Sequence, residues 1–294
     1  MGLTLITGCG SGRRQTDAVT SLSHSPDSGS DPDSGSGSGS PVRHAYGSDP
    51  AQYGELYLPT SGRKPGTVVV LHGGFWRSTY GAELGAPLAA DLARRGWVVW
   101  NLEYRRVGAG GGWPNTLADV ATGIDHLATL KAAGTELDLT DVVAIGHSAG
   151  GHLATWAAGR AELPAAAPGA KPVVRLTGVV AQAGVLDLER AAREEVGGTA
   201  VPDLLGGPIT EFAQRYREAS PQAQLPITVP VRCVHSPDDQ NVPFDQSVDY
   251  VKAAKAAGDD AELLQVPGDH FALIDTGSEA WATVLRLLPG LLLN

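Results

Sequence analysis

The chain has two cysteines, Cys9 and Cys233, and a single methionine in 294 residues. Cys9 lies in a Gly/Ser-rich stretch and Cys233 in an apolar, strand-like run, so neither a disulfide between them nor a metal site is expected. Basic residues are scarce too. The 22 Lys and Arg against 32 Asp and Glu leave a formal charge of -10. No local run of Lys or Arg offsets that balance, which argues against nucleic acid as a partner, because phosphates attract clustered positive charge. No uninterrupted apolar stretch approaches the roughly 18 residues needed to cross a bilayer. No internal repeat of solenoid or propeller length is visible.

What is present is enough apolar material for a sizeable core: 42% of residues are hydrophobic. Residues 11–40 are mostly Ser, Gly, Asp and Pro. Such a composition buries too little apolar surface to offset the entropy of ordering, so residues 1–41 are read as a disordered extension and residues 42–294 as the folded domain. Near the start, Ile6-Thr7-Gly8-Cys9 is similar to a lipoprotein cleavage box. The apolar stretch before it is only Leu3–Ile6, with no basic residue ahead, where a working signal wants roughly 7–15 apolar residues. A cytoplasmic protein is therefore expected, with a lipid-anchored or secreted one as the alternative if the true start lies upstream.

From Tyr53 onward strand-like and helix-like segments alternate. Tyr53–Leu58 reads as an edge strand. Thr67–Leu71 (TVVVL), Trp97–Leu102, Asp141–Ile145, Leu176–Ala181, Val229–Val234 and Ala261–Val266 read as further strands, several of them continuous apolar runs suited to burial on both faces. Leu84, Leu88 and Leu92 recur at helical spacing before Gly96, and Leu117, Val120, Ile124, Leu127 and Leu130 mark a second helix with Pro114 at its start. Leu153–Ala158, Phe244–Ala257 and Glu279–Leu288 complete the helices. Strands separated by helices imply a mostly parallel sheet covered on both faces, an α/β fold. Residues 185–225 break the rhythm and are read as a small partial cap; long excursions in compact domains are often lids.

The central motif is Gly146-His147-Ser148-Ala149-Gly150, which matches G-x-S-x-G between a strand (VVAI) and a helix. A sharp strand-to-helix turn strains the serine, so small neighbours must flank it. Gly146, Gly150 and Gly151 supply the room, and the helix N-terminus favours developing negative charge there. The TVVVL strand runs into His72-Gly73-Gly74-Phe75-Trp76, whose glycines allow backbone N–H groups to approach an oxyanion. Gly74, Phe75 and Ala149 are the candidate donors, and His72 is read as bracing the loop.

A serine needs a base. His270, in Pro267-Gly268-Asp269-His270-Phe271 after the last strand, falls at the carboxyl edge of the sheet, the same edge as Ser148. The imidazole in turn needs an acid. Two adjacent carboxylates compete after the strand Val229–Val234: Asp239 is preferred and Asp238 is the alternative. The order Ser148, Asp239, His270 is that of α/β-hydrolases. Trp76, Trp113 and Phe271 are candidates to line a substrate pocket, with core packing the competing role for each. Arg105 and Arg106 read as a solvated rim.

Taken together, HGGFW at 72–76, GHSAGGHLA at 146–154, LLGG at 204–207, ASP at 219–221, DDQNVP at 238–243 and GDHF at 268–271 resemble the esterase and kynurenine formamidase branch of the α/β-hydrolases. The DDQNVP loop is also similar to the prolyl oligopeptidase catalytic domain. The resemblance covers roughly residues 53–288. It implies the α/β-hydrolase fold, a cofactor-free serine hydrolase, triad roles for Ser148, Asp239 and His270, and an oxyanion hole at Gly74, Phe75 and Ala149. The expected substrate is a small-molecule ester or a formamide-type amide, cleaved through an acyl-enzyme. An aminopeptidase or dipeptidase on the same fold is the first alternative, with Glu103 as a candidate to hold the free amine. A non-catalytic ligand-binding protein of this fold is the second. The sequence leaves the oligomeric state open.

Overall fold

The continuous β-branched runs become the inner strands of one sheet. The computed structural model describes residues 40–292. The extension read as disordered, with the cleavage-box-like Cys9, falls almost wholly outside the described residues. Eight strands are β1 (Val42–Ala45), β2 (Tyr53–Tyr57), β3 (Thr67–Leu71), β4 (Val98–Leu102), β5 (Val142–His147), β6 (Gly178–Gln182), β7 (Val231–His235) and β8 (Ala261–Gln265). They lie in the order β1-β2-β4-β3-β5-β6-β7-β8. The pairs β1–β2 and β2–β4 are antiparallel and all the others are parallel.

Tyr53–Leu58, read as an edge strand, is not at the edge. Its strand β2 is covered by β1, with Val42 opposite Leu56 and Ala45 opposite Tyr53. The sequence Val-Arg-His-Ala carries too few apolar residues to announce a strand; the hydrogen-bonding partner makes it one.

Alternation along the inner strands feeds two cores. Val69 and Leu71 of β3, with Val142 and Ala144 of β5, face one layer; Val68, Val70, Val143 and Ile145 face the other. The first layer is closed by α2 (Asn115–Ala132), α3 (Ala149–Ala158) and α7 (Asp245–Ala257), through residues such as Leu117, Ile124, Leu153, Trp156 and Tyr250. The second is closed by α1 (Ala86–Arg94) and α8 (Glu279–Leu291), through Leu88, Leu92, Trp281 and Leu288. Between β6 and β7 the chain forms α4 (Leu188–Arg193), α5 (Ala200–Leu205) and α6 (Ile209–Ala219), the segment read as a partial cap.

Strand order also positions the chemistry. From β3 the chain goes one way to β4 and the other way to β5, so the carboxyl ends of β3 and β5 adjoin at a topological switch point. Leu71 pairs with Gly146, which places the HGGFW loop beside Ser148. His235, at the end of β7, pairs with Gln265, at the end of β8, so the loops bearing Asp239 and His270 leave adjacent strands.

Candidate active site

Ser148 sits at the turn from β5 into α3 with φ 56° and ψ −120°, a left-handed conformation that L-residues avoid. Its N–H donates to the Gln182 carbonyl at 2.7 Å, and its own carbonyl accepts from His152 at 3.1 Å. The flanking glycines are forced by backbone contact. A Cβ on Gly146 would stand 2.0 Å from the Gly150 oxygen, and one on Gly150 would stand 2.1 Å from the Leu71 oxygen. The side chain thus ends up at the N-terminus of α3, which is buried and carries positive partial charge.

The HGGFW loop lies against this turn. A Cβ on Gly73 would be 3.0 Å from Ser148 Cβ. Three successive residues then take positive φ: Gly74 (108°), Phe75 (50°) and Trp76 (57°). Among the described residues the carbonyls of Gly74 and Trp76 accept from Arg77 and Val107, whereas the N–H groups of Gly74 and Phe75 meet no protein acceptor. The N–H of Ala149 opens α3, where helical N–H groups have no partner within the helix. The N–H groups of Gly74, Phe75 and Ala149, the candidate oxyanion donors, thus have no protein acceptor among the described residues.

The loop is braced as the sequence suggested. His72 is buried, stacks on Tyr104 at 4.4 Å, and binds Glu103 Oε1 through Nε2 at 3.0 Å. Glu103 cannot serve as the amine holder weighed for an aminopeptidase. It is 2% exposed, and its oxygens already meet His72, the N–H groups of Tyr104 (2.8 Å) and Ala82 (2.9 Å), and Arg106 (3.2 Å). Burial alone would raise its pKa, but those hydrogen bonds outweigh it and hold the carboxyl below the ordinary Glu value. Arg105 and Arg106 are not a solvated rim either: Arg105 pairs with buried Asp119 at 2.7 Å and Arg106 with Glu103.

His270 Nδ1 meets Asp239 Oδ2 at 2.6 Å, both groups buried. Asp239 Oδ1 accepts from the N–H groups of Asn241 (2.8 Å) and Val242 (2.9 Å), closing the loop round the carboxylate. Asp238 is exposed and does not reach the imidazole. Burial pushes the Asp239 carboxyl up; hydrogen bonds from His235, His270 and the Val242 N–H outweigh it and leave the group well below its ordinary range. Such a carboxylate stays ionised and can hold an imidazolium.

His270 is brought to the serine turn by His147, whose Nε2–H donates to the His270 carbonyl at 2.9 Å, the two rings lying 4.5 Å apart. Among the described residues no hydrogen bond closes Ser148 Oγ to His270 Nε2; such contacts are often long in unliganded sites. Burial first, and neighbouring His270 second, push His147 down to about 3, so it remains neutral beside the candidate base. Sequence reasoning passed over His235. Its Nε2 lies 3.2 Å from Asp239 Oδ2. The available signal was a histidine ending a strand four residues before the acid.

The pocket residues separate. Trp76 is not on a pocket wall: it is 1% exposed, and its indole N–H donates to His152 Nδ1 at 3.1 Å. Trp113 is half-buried and lines a cavity of about 670 Å³ with Pro164, Phe212 and Arg215, but neither Ser148 nor His270 borders that cavity. Phe271 is 57% exposed and stands edge-on to His270 at 5.5 Å. The segment between β6 and β7 touches the same region. Phe75 lies under Gly197, Arg77 donates to the Gly197 carbonyl at 3.0 Å, and His152 meets the Ala219 carbonyl at 2.9 Å.

A mostly parallel sheet with a strained serine turn after its fifth strand, and an acid and a histidine after its last two, is the α/β-hydrolase fold. Residues 55–253 match the BD-FAE family, and the chain belongs to it. It is similar to a probable isoprenylcysteine alpha-carbonyl methylesterase of Oryza sativa subsp. japonica, 27% identical over 239 residues, 76% of this chain and 56% of the relative. It is also similar to the probable carboxylic ester hydrolase LipM of Mycobacterium tuberculosis, 30% identical over 197 residues, 63% and 44% of the two chains. The chain thus spans about half the length of the curated relatives it matches. Among solved structures, a truncated carbohydrate esterase from gut microbiota superposes with a TM-score of 0.76 at 20% identity, covering 90% of this chain and 99% of that one. The butyrate-bound esterase Est2 of Thermogutta terrifontis gives 0.68 at 21% identity, over 85% and 92%. At these identities the two structures establish the shared fold.

Proposed function

We propose that this protein is a serine hydrolase of small carboxylic esters. The observation that carries the reading is the 2.6 Å pair of His270 Nδ1 and Asp239 Oδ2, at the same edge of the sheet as a serine forced into a left-handed turn. In this mechanism Ser148 Oγ attacks the ester carbonyl while His270 Nε2 takes its proton. The oxyanion is met by the N–H groups of Gly74, Phe75 and Ala149. Collapse of the tetrahedral intermediate sends the proton from His270 to the departing alkoxide and leaves an acyl-serine. Water, deprotonated by the same histidine, then releases the acid. Asp239 holds the tautomer and stabilises the imidazolium throughout. No cofactor enters any step. Residues 185–225 act as the partial cap on a hydrolase domain of residues 42–294.

The ester-hydrolase names of its curated relatives support an ester substrate. A formamide-type amide is the finer alternative, and engagement of Glu103 within the fold argues against an aminopeptidase. Turnover of short nitrophenyl esters, compared with N-formylkynurenine and aminoacyl amides, distinguishes these substrates. A fluorophosphonate probe should label wild type and not Ser148→Ala, and the variant should lose ester turnover while keeping its fold. Undiminished turnover in folded Ser148→Ala would falsify the proposal.

A further inference from the structure

We infer that His235 is a positioning residue for the acid–base pair: it donates its Nε2–H to the same Asp239 oxygen that receives the His270 Nδ1–H, clamping that oxygen between two imidazoles. The inference rests on the triad reading above.

The geometry leaves His235 little freedom. It ends β7, is fully buried, and lies beneath the loop that carries Asp239. Its Nε2 faces two oxygens at 3.2 Å, Asp239 Oδ2 and the Val242 carbonyl. In this site both are acceptors, the carboxylate being ionised, so the proton between them belongs to Nε2. On the other side, Nδ1 meets Ser247 Oγ at 2.8 Å, on the first turn of α7. Phe244 closes the site edge-on, its ring 5.4 Å from the imidazole. Across the ring, one nitrogen meets the helix and the other meets the acid.

The consequence for Asp239 follows from counting donors. A carboxylate offers about four lone-pair directions. Here four N–H groups occupy them: Asn241 and Val242 on Oδ1, His270 and His235 on Oδ2. The terminal torsion of an aspartate is broad when unconstrained. With the His235 donor removed, Oδ2 is left to His270 alone, and only the Asn241 and Val242 N–H groups on Oδ1 still restrain rotation of the carboxylate. The orientation of the His270 ring then loses its fixed reference.

Two measurements test this. In wild type, long-range proton–nitrogen NMR of the histidine rings should find His235 protonated at Nε2; a bare Nε2 overturns the inference without any variant. In kinetics, His235→Gln keeps an N–H where Nε2 stood, whereas His235→Asn places its amide near Ser247 and leaves Asp239 without the donor. Losing the triad acid function costs up to about 10⁴ in kcat, and losing a residue that only orients a ligating histidine costs about 10–100-fold. His235→Asn should therefore lower kcat about 10–100-fold with KM within about threefold, and should shift the downfield His270 Nδ1–H resonance. His235→Gln should restore both. Equal kcat in the Asn and Gln variants, with Ser148→Ala inactive, overturns this inference alone. Turnover surviving in Ser148→Ala overturns the triad reading and this inference with it.

Discussion

Gly73→Ala tests how closely the loop after β3 is fitted to the serine turn. The new methyl carbon would lie 2.9 Å from the His147 carbonyl oxygen, 3.0 Å from Ser148 Cβ and 3.1 Å from His147 Nδ1, where ordinary contact begins near 3.4 Å. None of the three neighbours is the free end of a flexible chain. Two belong to the turn that carries Ser148, and the third is a ring tied to the His270 carbonyl. The loop must therefore back away by about 0.3–0.5 Å, the difference between these distances and normal contact. Misplacement of about 1 Å costs roughly 10²-fold in rate, and losing one oxyanion donor about 10²–10³. The expected result is a 10- to 100-fold fall in kcat/KM on a short nitrophenyl ester. Overpacking of this kind costs about 1–3 kcal/mol of stability, readable as a lowered thermal midpoint. A folded Gly73→Ala protein with wild-type kcat/KM would refute the placement of this loop against the proposed nucleophile.

Asp239→Asn should lower kcat by about 10²–10⁴ through loss of the histidine's partner, while Asp238→Asn, exposed and remote from the imidazole, should turn over ester normally; equal losses in both variants would contradict the assignment. Acidification should destabilise the fold before it touches the acid. Burial holds His147 at about 3 and His152 at about 4, below the ordinary 6.5, so the unfolded chain takes up protons first and stability falls as pH drops below 6.5. By pH 5 each histidine contributes about 2 kcal/mol of this loss. Asp239, held low, keeps its contribution across that window and begins to lose it only below about pH 4. Urea melts between pH 7 and 5 check this, with a flatter dependence expected for His152→Gln; no change in stability over that range would count against it. Gly290→Ala, at an open position near the end of α8, should raise stability by up to about 1 kcal/mol. A lowered thermal midpoint in that variant would mean the site is not open.

Local sterics and hydrophobic periodicity carried most of the fold. TVVVL and VVAI read as buried strands because a chain so apolar cannot leave either face in water, and both are inner strands here. The serine turn was legible for a similar reason. Gly146 and Gly150 are dictated by contacts a few residues away or on the neighbouring strand, and the pattern survives in one dimension. Strand β1 was not legible, because four mixed residues become a strand only when Tyr53–Tyr57 lies alongside.

Asp238 and Asp239 are indistinguishable by composition. They differ in which way one residue's step along a turn sends the side chain, and only folding turned Asp239 inward to a histidine 31 positions away. Trp76 and Trp113 looked alike as pocket linings until packing put one indole against His152 and the other on a separate cavity. Glu103 read as a possible amine holder and Arg106 as a solvated rim until they were found bound to each other and Glu103 to His72 of the loop it braces. The sequence alone determined the inner strands, the turn and the kinds of residue gathered at the sheet's carboxyl edge, because backbone sterics and apolar burial act between near neighbours. Tertiary structure decided which polar groups are spent on one another, because a hydrogen bond between loops distant in the chain depends on side-chain direction to within an ångström.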